Sequence, residues 1–222
     1  MNEYLSINYT DICLHYLSTL NILELCRIQN AKLIYFSSYT YGNPHYQPID
    51  EKHPLQAYNP YSQTKIICEN LCEGYNRDFN VPITIFRPFN IYGSGQNPDF
   101  LIPTIIKQAK SGKIIIKDER PKRDFVHIND VIEAILASIF KINTASTFQI
   151  YNLGTGKSHS VKNIIDIICQ IYAHPIEYQC TNEIRQNEVL DTIADISKIK
   201  IELDWDPKIS LYEGLKSMIE EL

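Results

Sequence analysis

The chain has 222 residues, 44% of them hydrophobic and 21% charged, and carries a formal net charge of −5. That length buries a core in one large domain or two small ones, and the composition excludes disordered and fibrous classes. The basic residues are scattered with no run of five or more like charges, so no nucleic-acid partner is expected.

Residues 10–29 place Ile12, Leu14, Leu17, Leu20, Leu23, Leu25 and Ile28 at mixed three- and four-residue spacings, which predicts a long helix. The short apolar run Leu33-Ile34-Tyr35-Phe36 then reads as a strand that halts at Ser37-Ser38. A turn-rich stretch with Pro44, Pro48, Pro54 and Pro60 follows. The next helix is expected from Pro60 to Phe79 and the next strand over Val81–Phe86. Strand, helix and strand at this spacing make one βαβ unit of a parallel sheet.

Beyond Gly93-Ser94-Gly95 the pattern loosens into a second, smaller domain. Helices are expected near Leu101–Lys110, Asp130–Phe140, Val161–Ile171 and Leu211–Leu222, with strands at Ile114–Ile116 and Phe148–Tyr151. The fold expected is therefore α/β, with a parallel-sheet domain over 1–95 and a smaller α/β domain over 96–222. A strand over 147–153 is expected to return to the first sheet.

Six cysteines, Cys13, Cys26, Cys68, Cys72, Cys169 and Cys180, form no Cys-x-x-Cys pair and read as reduced core thiols. No metal site is expected. No eighteen-residue apolar span occurs, and Met1-Asn2-Glu3-Tyr4 lacks the basic-then-apolar pattern of a signal peptide, so a cytoplasmic location without a membrane partner is the expectation.

Tyr61 and Lys65 lie four apart on one helix face, where an ammonium near a phenol favours the ionised form. A phenol of reference pKa about 10 can then act as acid or base nearer neutrality. Spacing alone is weak, since 15 Tyr and 15 Lys in 222 residues give about one such pair by chance. The other pair, Tyr212 and Lys216, reads as a solvated helix face. Context separates them: Tyr61 opens a helix just after Pro60 and follows a strand that ends in two hydroxyls, and strand ends of an open parallel sheet are where ligands bind.

Three ordered motifs carry a resemblance. Ser37-Ser38-Tyr39-Thr40-Tyr41-Gly42, Tyr61-Ser62-Gln63-Thr64-Lys65 and Arg87-Pro88-Phe89-Asn90-Ile91-Tyr92-Gly93 resemble the extended short-chain dehydrogenase/reductase family of nucleotide-sugar epimerases and dehydratases. Arg123-Asp124-Phe125-Val126-His127, Tyr151-Asn152-Leu153-Gly154-Thr155-Gly156, Arg185 with Glu188, and Asp204-Trp205-Asp206-Pro207-Lys208 extend it over essentially the whole chain. The resemblance implies a Rossmann-type parallel sheet with NAD as cofactor and a UDP-linked sugar as substrate. Tyr61 would be the acid/base, Lys65 would lower its pKa and hold the nicotinamide ribose, and Ser37 would bond the reacting sugar oxygen. Pro88 would stand with Tyr61 and Lys65 at the cofactor. Asn90, Arg123 and Arg185 would grip the diphosphate and nucleoside, as guanidinium groups suit phosphate oxygens. Glu188 would accept from the nucleoside, and Phe100 and Leu101 would pack the substrate. A homodimer through a bundle that includes the Tyr61 helix is implied too.

Other features read as structural. His127 has no nucleophile beside it in sequence. Gly156-Lys157-Ser158 resembles the end of a phosphate-binding loop, but Tyr151 stands where that loop needs glycine.

The chain departs from the family pattern in two places. Its first glycine is Gly42, so no glycine-rich dinucleotide fingerprint precedes the catalytic strand. By the resemblance, first strands and crossovers on the order of 100 residues long are missing, through a late start codon, a gene split between two chains, or decay. Poor solubility alone is the expectation, because half a sheet exposes an edge. Relatives also read Asn-x-x-Gly-Thr where this chain has His15-Tyr16-Leu17-Ser18-Thr19, and His can donate one hydrogen bond in place of that Asn.

The leading functional expectation is nucleotide-sugar 4-epimerisation. A 4,6-dehydratase is disfavoured because Ser38-Tyr39 replaces the Asp-Glu pair that would supply acid and base for elimination. From another class, a catalytically silent sugar-nucleotide-binding remnant is also compatible with the missing fingerprint.

Overall fold

A computed structural model of the chain describes residues 9–141, 147–184 and 188–221. Helix α1 (Tyr9–Gln29) leads into strand β1 (Leu33–Phe36), helix α2 (Pro60–Phe79) and strand β2 (Ile83–Pro88). Asn59 caps α2: its side chain accepts from Ser62 N while the Ser62 hydroxyl receives the Asn59 N–H. Pro60 occupies the first turn, where no N–H is missed. At the far end Asn80 turns left-handed with φ 57° and closes the helix. Strand β2 runs six residues to Pro88, two beyond the expected end, because every one of its side chains is buried.

Strand β3 (Asn90–Tyr92), helix α3 (Leu101–Lys110), strands β4 (Lys113–Ile116) and β5 (Lys122–His127), and helix α4 (Ile128–Lys141) come next. The chain continues through β6 (Phe148–Leu153), β7 (Ser158–Ser160), helix α5 (Val161–Tyr172), β8 (Glu177–Cys180), and helices α6 (Ser197–Leu203) and α7 (Leu211–Glu220). Of these, β3, β5, β7, β8 and α6 are too short or too polar to leave a periodic signal.

Three sheets result, in orders β1-β2-β6, β3-β5-β7 and β4-β8. The first is wholly parallel, with Phe36 opposite Phe86 and Pro88 opposite Leu153. Its carboxyl ends therefore lie together at residues 37, 89 and 154. The two faces bury different residues: Ile83, Ile85, Tyr35 and Ile150 pack under α1 and α2, while Phe86, Tyr151, Ile34 and Phe36 meet α4, α6 and Trp205. That alternation is the period-two signature of strands covered on both sides. A separate core joins α3, α5 and α7 over β4 and Phe125.

Apolar surface remains uncovered. Leu23 and Cys26 of α1 are buried, yet Leu14, Leu17, Leu25 and Ile28 are exposed. On the opposite face of the sheet, Ile132, Leu136, Ile139 and Phe140 of α4 are exposed as well. Among the described residues no helix is long and apolar enough to cross a membrane, and the six cysteines are free thiols.

Candidate active site at the strand ends

The strand ends gather the candidate residues because parallel pairing forces β1 and β2 to stop side by side. Ser37 N donates to Phe86 O at 2.8 Å and Tyr39 N to Pro88 O at 3.2 Å, carrying the ladder past β1. The Ser37 hydroxyl is buried without a hydrogen-bond partner among the described residues. Buried polar atoms are seldom left so, and a hydroxyl held ready at a strand end is where a ligand oxygen would be received.

Helix α2 brings Tyr61 and Lys65 to the same place. The Lys65 ammonium donates to Phe36 O at 2.8 Å and lies 5.2 Å from the Tyr35 ring centre and 5.7 Å from that of Tyr61. Burial favours its neutral form and pulls its pKa down. Burial also pushes the Tyr61 phenol up, with a hydrogen bond involving Ser38 working the other way. In this arrangement the Tyr61 hydroxyl meets Ser38 rather than Ser37, and Lys65 serves the strand carbonyl rather than the phenol. The depression of Tyr61 expected from Lys65 is thus not found: burial raises the phenol, and the opposing contribution comes from Ser38. His15 reaches the group from α1, its ring edge-on to Tyr61 at 6.4 Å.

Asn90 sits beyond Pro88, which is buried. Its Nδ2 donates to Asp124 O at 3.2 Å and its Oδ1 accepts from Tyr39 OH at 3.4 Å. The Tyr39 ring stacks on Phe89 at 4.9 Å. Asn90 thus links the strand ends to β5, whose second residue is Arg123. The Arg123 guanidinium donates to Val189 O at 2.7 Å and to Lys122 O at 2.8 Å, and pairs with the Glu188 carboxylate. Arg123 and Glu188, expected to face different parts of a nucleotide, therefore hold each other. Arg185 lies outside the described residues. Phe100 and Leu101 stand at the start of α3 and are 42% and 38% exposed.

Several residues of the site escaped the sequence reading. Asp124 is fully buried and accepts from Thr155 N and Thr155 Oγ1, both at 2.7 Å, from Gly156 N at 2.9 Å and from Ala194 N at 3.2 Å. It clamps the turn after β6 and the segment that carries Glu188 against β5. The Gly154-Thr155-Gly156 turn therefore wraps a carboxylate of the protein and not a phosphate. Arg87 and Glu69 form a buried ion pair between β2 and α2, with Nη2 to Oε2 at 2.6 Å and both side chains 5% exposed. Arg87 also donates to Tyr41 OH and Glu51 O, each at 3.0 Å. Only the family motifs hinted at these residues, since their partners lie 18 to 70 positions away. His127 is buried, edge-on to Tyr92 at 5.2 Å, and receives Asn129 N–H. Among the described residues no cluster of His, Cys, Asp or Glu could hold a metal.

A hydroxyl, a phenol and an ammonium gather at the carboxyl edge of a parallel sheet, next to an arginine on an adjoining sheet, and the strand ends of an open parallel sheet are where ligands bind. The chain belongs to the NAD-dependent epimerase/dehydratase family, whose model matches residues 7–154. It is 32% identical to a UDP-glucuronate 4-epimerase of Thermodesulfobacterium geofontis, over 90% of this chain and 62% of that one. Its fold matches the Thermotoga maritima UDP-glucose 4-epimerase solved with UDP-glucose, with TM-score 0.84 and 27% identity over 95% of this chain and 70% of the other. A Bacillus cereus UDP-glucuronic acid 4-epimerase in complex with UDP-glucuronic acid and NAD matches with TM-score 0.83 and 28% identity, covering 93% and 67%. The chain spans about two thirds of the length of the curated relatives it matches.

Proposed function

We propose that this chain carries the proton-transfer and substrate-binding part of a UDP-sugar 4-epimerase. The observation that carries the reading is the placement of α2, which sets Tyr61 on Ser38 and Lys65 on Phe36 O beside the unpartnered Ser37 hydroxyl. In the proposed reaction Tyr61 would take the proton of the sugar 4-hydroxyl and return it to the same oxygen, while the exchange of hydride at that carbon is chemistry that a bound NAD would supply. Ser37 bonds the same oxygen in both directions. Lys65 favours the tyrosinate once its ammonium turns from Phe36 O toward the phenol. Asn90 and Arg123, with Arg185 and Glu188, hold the nucleoside diphosphate, and Phe100 and Leu101 cover the base.

NAD, when bound, supplies the hydride acceptor. Tyr61, Lys65 and Pro88 suit the nicotinamide-ribose end. The pyrophosphate has no matching cradle among these 222 residues, whose first glycine is Gly42. The division at residues 95 and 96 into a catalytic and a substrate-binding part belongs to the same proposal. So does a homodimer, which the exposed Leu14, Leu17 and Ile28 of α1 support.

A second reading, a binding module without turnover, is favoured by the upward shift of Tyr61 and by the engagement of Lys65 with the backbone. Titration of the purified chain with UDP-glucose and separately with NAD tests both. UDP-glucose binding with NAD-dependent conversion to UDP-galactose is the outcome expected of the epimerase. UDP-glucose binding without NAD binding supports the module, and no UDP-glucose binding at millimolar concentration overturns both.

A further inference from the structure

The Arg123 site has a charge problem. Its guanidinium is already held by two carbonyls and neutralised by Glu188. A diphosphate brought there would meet the Glu188 carboxylate as well as the guanidinium, so among the described residues a cation besides Arg123 would make the site more attractive. The start of α5 does not supply one through its backbone. Ser160 N is bonded to Asn163 Oδ1, Val161 N to Pro121 O, Lys162 N to Glu119 O and Asn163 N to Ser160 Oγ, leaving no free N–H in the first turn.

Strand β7 pairs antiparallel with β5, and the residue directly opposite Arg123 is His159. Directly opposed residues of an antiparallel ladder project from the same face of the sheet, with Cβ atoms about 4.5–5.5 Å apart. His159 is half-buried, and its ring makes no hydrogen bond among the described residues. We infer that His159 is a diphosphate-binding residue that takes up a proton when a sugar nucleotide binds beside Arg123, so that ligand and proton are held together. The inference rests on the reading of Arg123 as a diphosphate contact and names the group that completes it.

The surroundings suit a group that is neutral before binding and charged after it. Burial lowers the His159 pKa and Lys157 adds to that, while Asp124 opposes it. The Arg123–Glu188 pair faces it from β5 and the 188–190 segment, and Lys162 beyond it is already paired with Asp166. A bound diphosphate adds negative charge next to the ring and raises its pKa. A rise of about one unit corresponds to tenfold tighter binding at low pH than at high pH.

UDP-glucose is the suitable probe, because its diphosphate is a diester and lacks the terminal ionisation near pH 6 that a phosphate monoester has. Calorimetric titration of the full chain in buffers of different ionisation enthalpy is expected to show net proton uptake near neutrality, with affinity falling about tenfold from pH 5.5 to pH 8. His159→Asn is expected to abolish both the uptake and the pH dependence. The His159 ring signal in NMR, followed against pH with and without UDP-glucose, is expected to titrate at higher pH in the complex, which covers the case of a variant that fails to fold. Binding that is lost in Arg123→Met but takes up no proton in the parent would overturn the role of His159 and leave the Arg123 reading intact. Absence of binding at every pH would overturn both.

Discussion

Replacing Arg87 by methionine should be among the most damaging single changes available near this site. The Arg87 guanidinium makes two bonds of 3.0 Å and 2.6 Å to separate Glu69 oxygens, and one each to Tyr41 OH and Glu51 O. Methionine fills similar volume but leaves Glu69 as an uncompensated charge 5% exposed. Removing one partner of such a pair costs about 3–5 kcal/mol, which in a chain of this size lowers the melting temperature by roughly 6–20 °C. The effect reaches the candidate chemistry, because Glu69 lies one turn beyond Lys65 on α2 and Arg87 immediately precedes Pro88 on β2. Urea titration followed by circular dichroism measures the cost. The double variant Arg87→Met/Glu69→Leu removes the stranded charge and should recover most of the loss, leaving about 1–2 kcal/mol for the unserved Tyr41 and Glu51 oxygens. A single variant within about 1 kcal/mol of the parent, or a double variant no better than the single, would refute the argument.

Gly154→Ala should destabilise the turn that carries the site, since the added Cβ would stand 2.7 Å from Ala194 Cβ and 2.8 Å from Asp124 Oδ2; a lowered urea midpoint checks it, and an unchanged one would show that the clamp can shift. Asp124→Asn offers an N–H₂ where backbone donors converge, and should cost about 2–4 kcal/mol together with UDP-glucose affinity. Tyr61→Phe should leave UDP-glucose binding within about twofold and lower any epimerase turnover by roughly 10²–10⁴-fold; loss of binding instead would make Tyr61 a substrate contact only. Burial lowers the pKa of both His127 and His159, so the unfolded chain binds more protons as pH falls through about 6.5. Stability measured by urea midpoint should therefore decline from pH 7.5 to pH 6, and a midpoint that rises over that window would contradict the sign.

Local signals in the sequence were sufficient for the elements with strong periods. The Pro60 start of α2 and the run Ile83–Phe86 each reflect a constraint that acts within a few residues, namely one helix start and one covered strand, and the apolar spacing after residue 10 located α1 although Leu14, Leu17, Leu25 and Ile28 are exposed. The Tyr61 and Lys65 pair was legible for the same reason, since four-residue spacing on a helix is a local fact, and the ordered motifs around it distinguished it from Tyr212 and Lys216. Strands β3, β5, β7 and β8 were not legible, because three to six residues of mixed polarity become a strand only when a partner strand arrives.

The tertiary structure alone decided how the charges are disposed. Nothing near Asp124 in sequence announces that its four donors come from residues 155, 156 and 194, or that Glu188 neutralises Arg123. Burial reverses the sign of what the sequence suggests for Tyr61, because desolvation depends on everything packed around the phenol and not on the lysine one turn away. The composition and motifs determined which chemical groups this protein brings to a parallel sheet. The fold determined which of them are left unpaired at the strand ends, since only three-dimensional packing selects each buried group's partner.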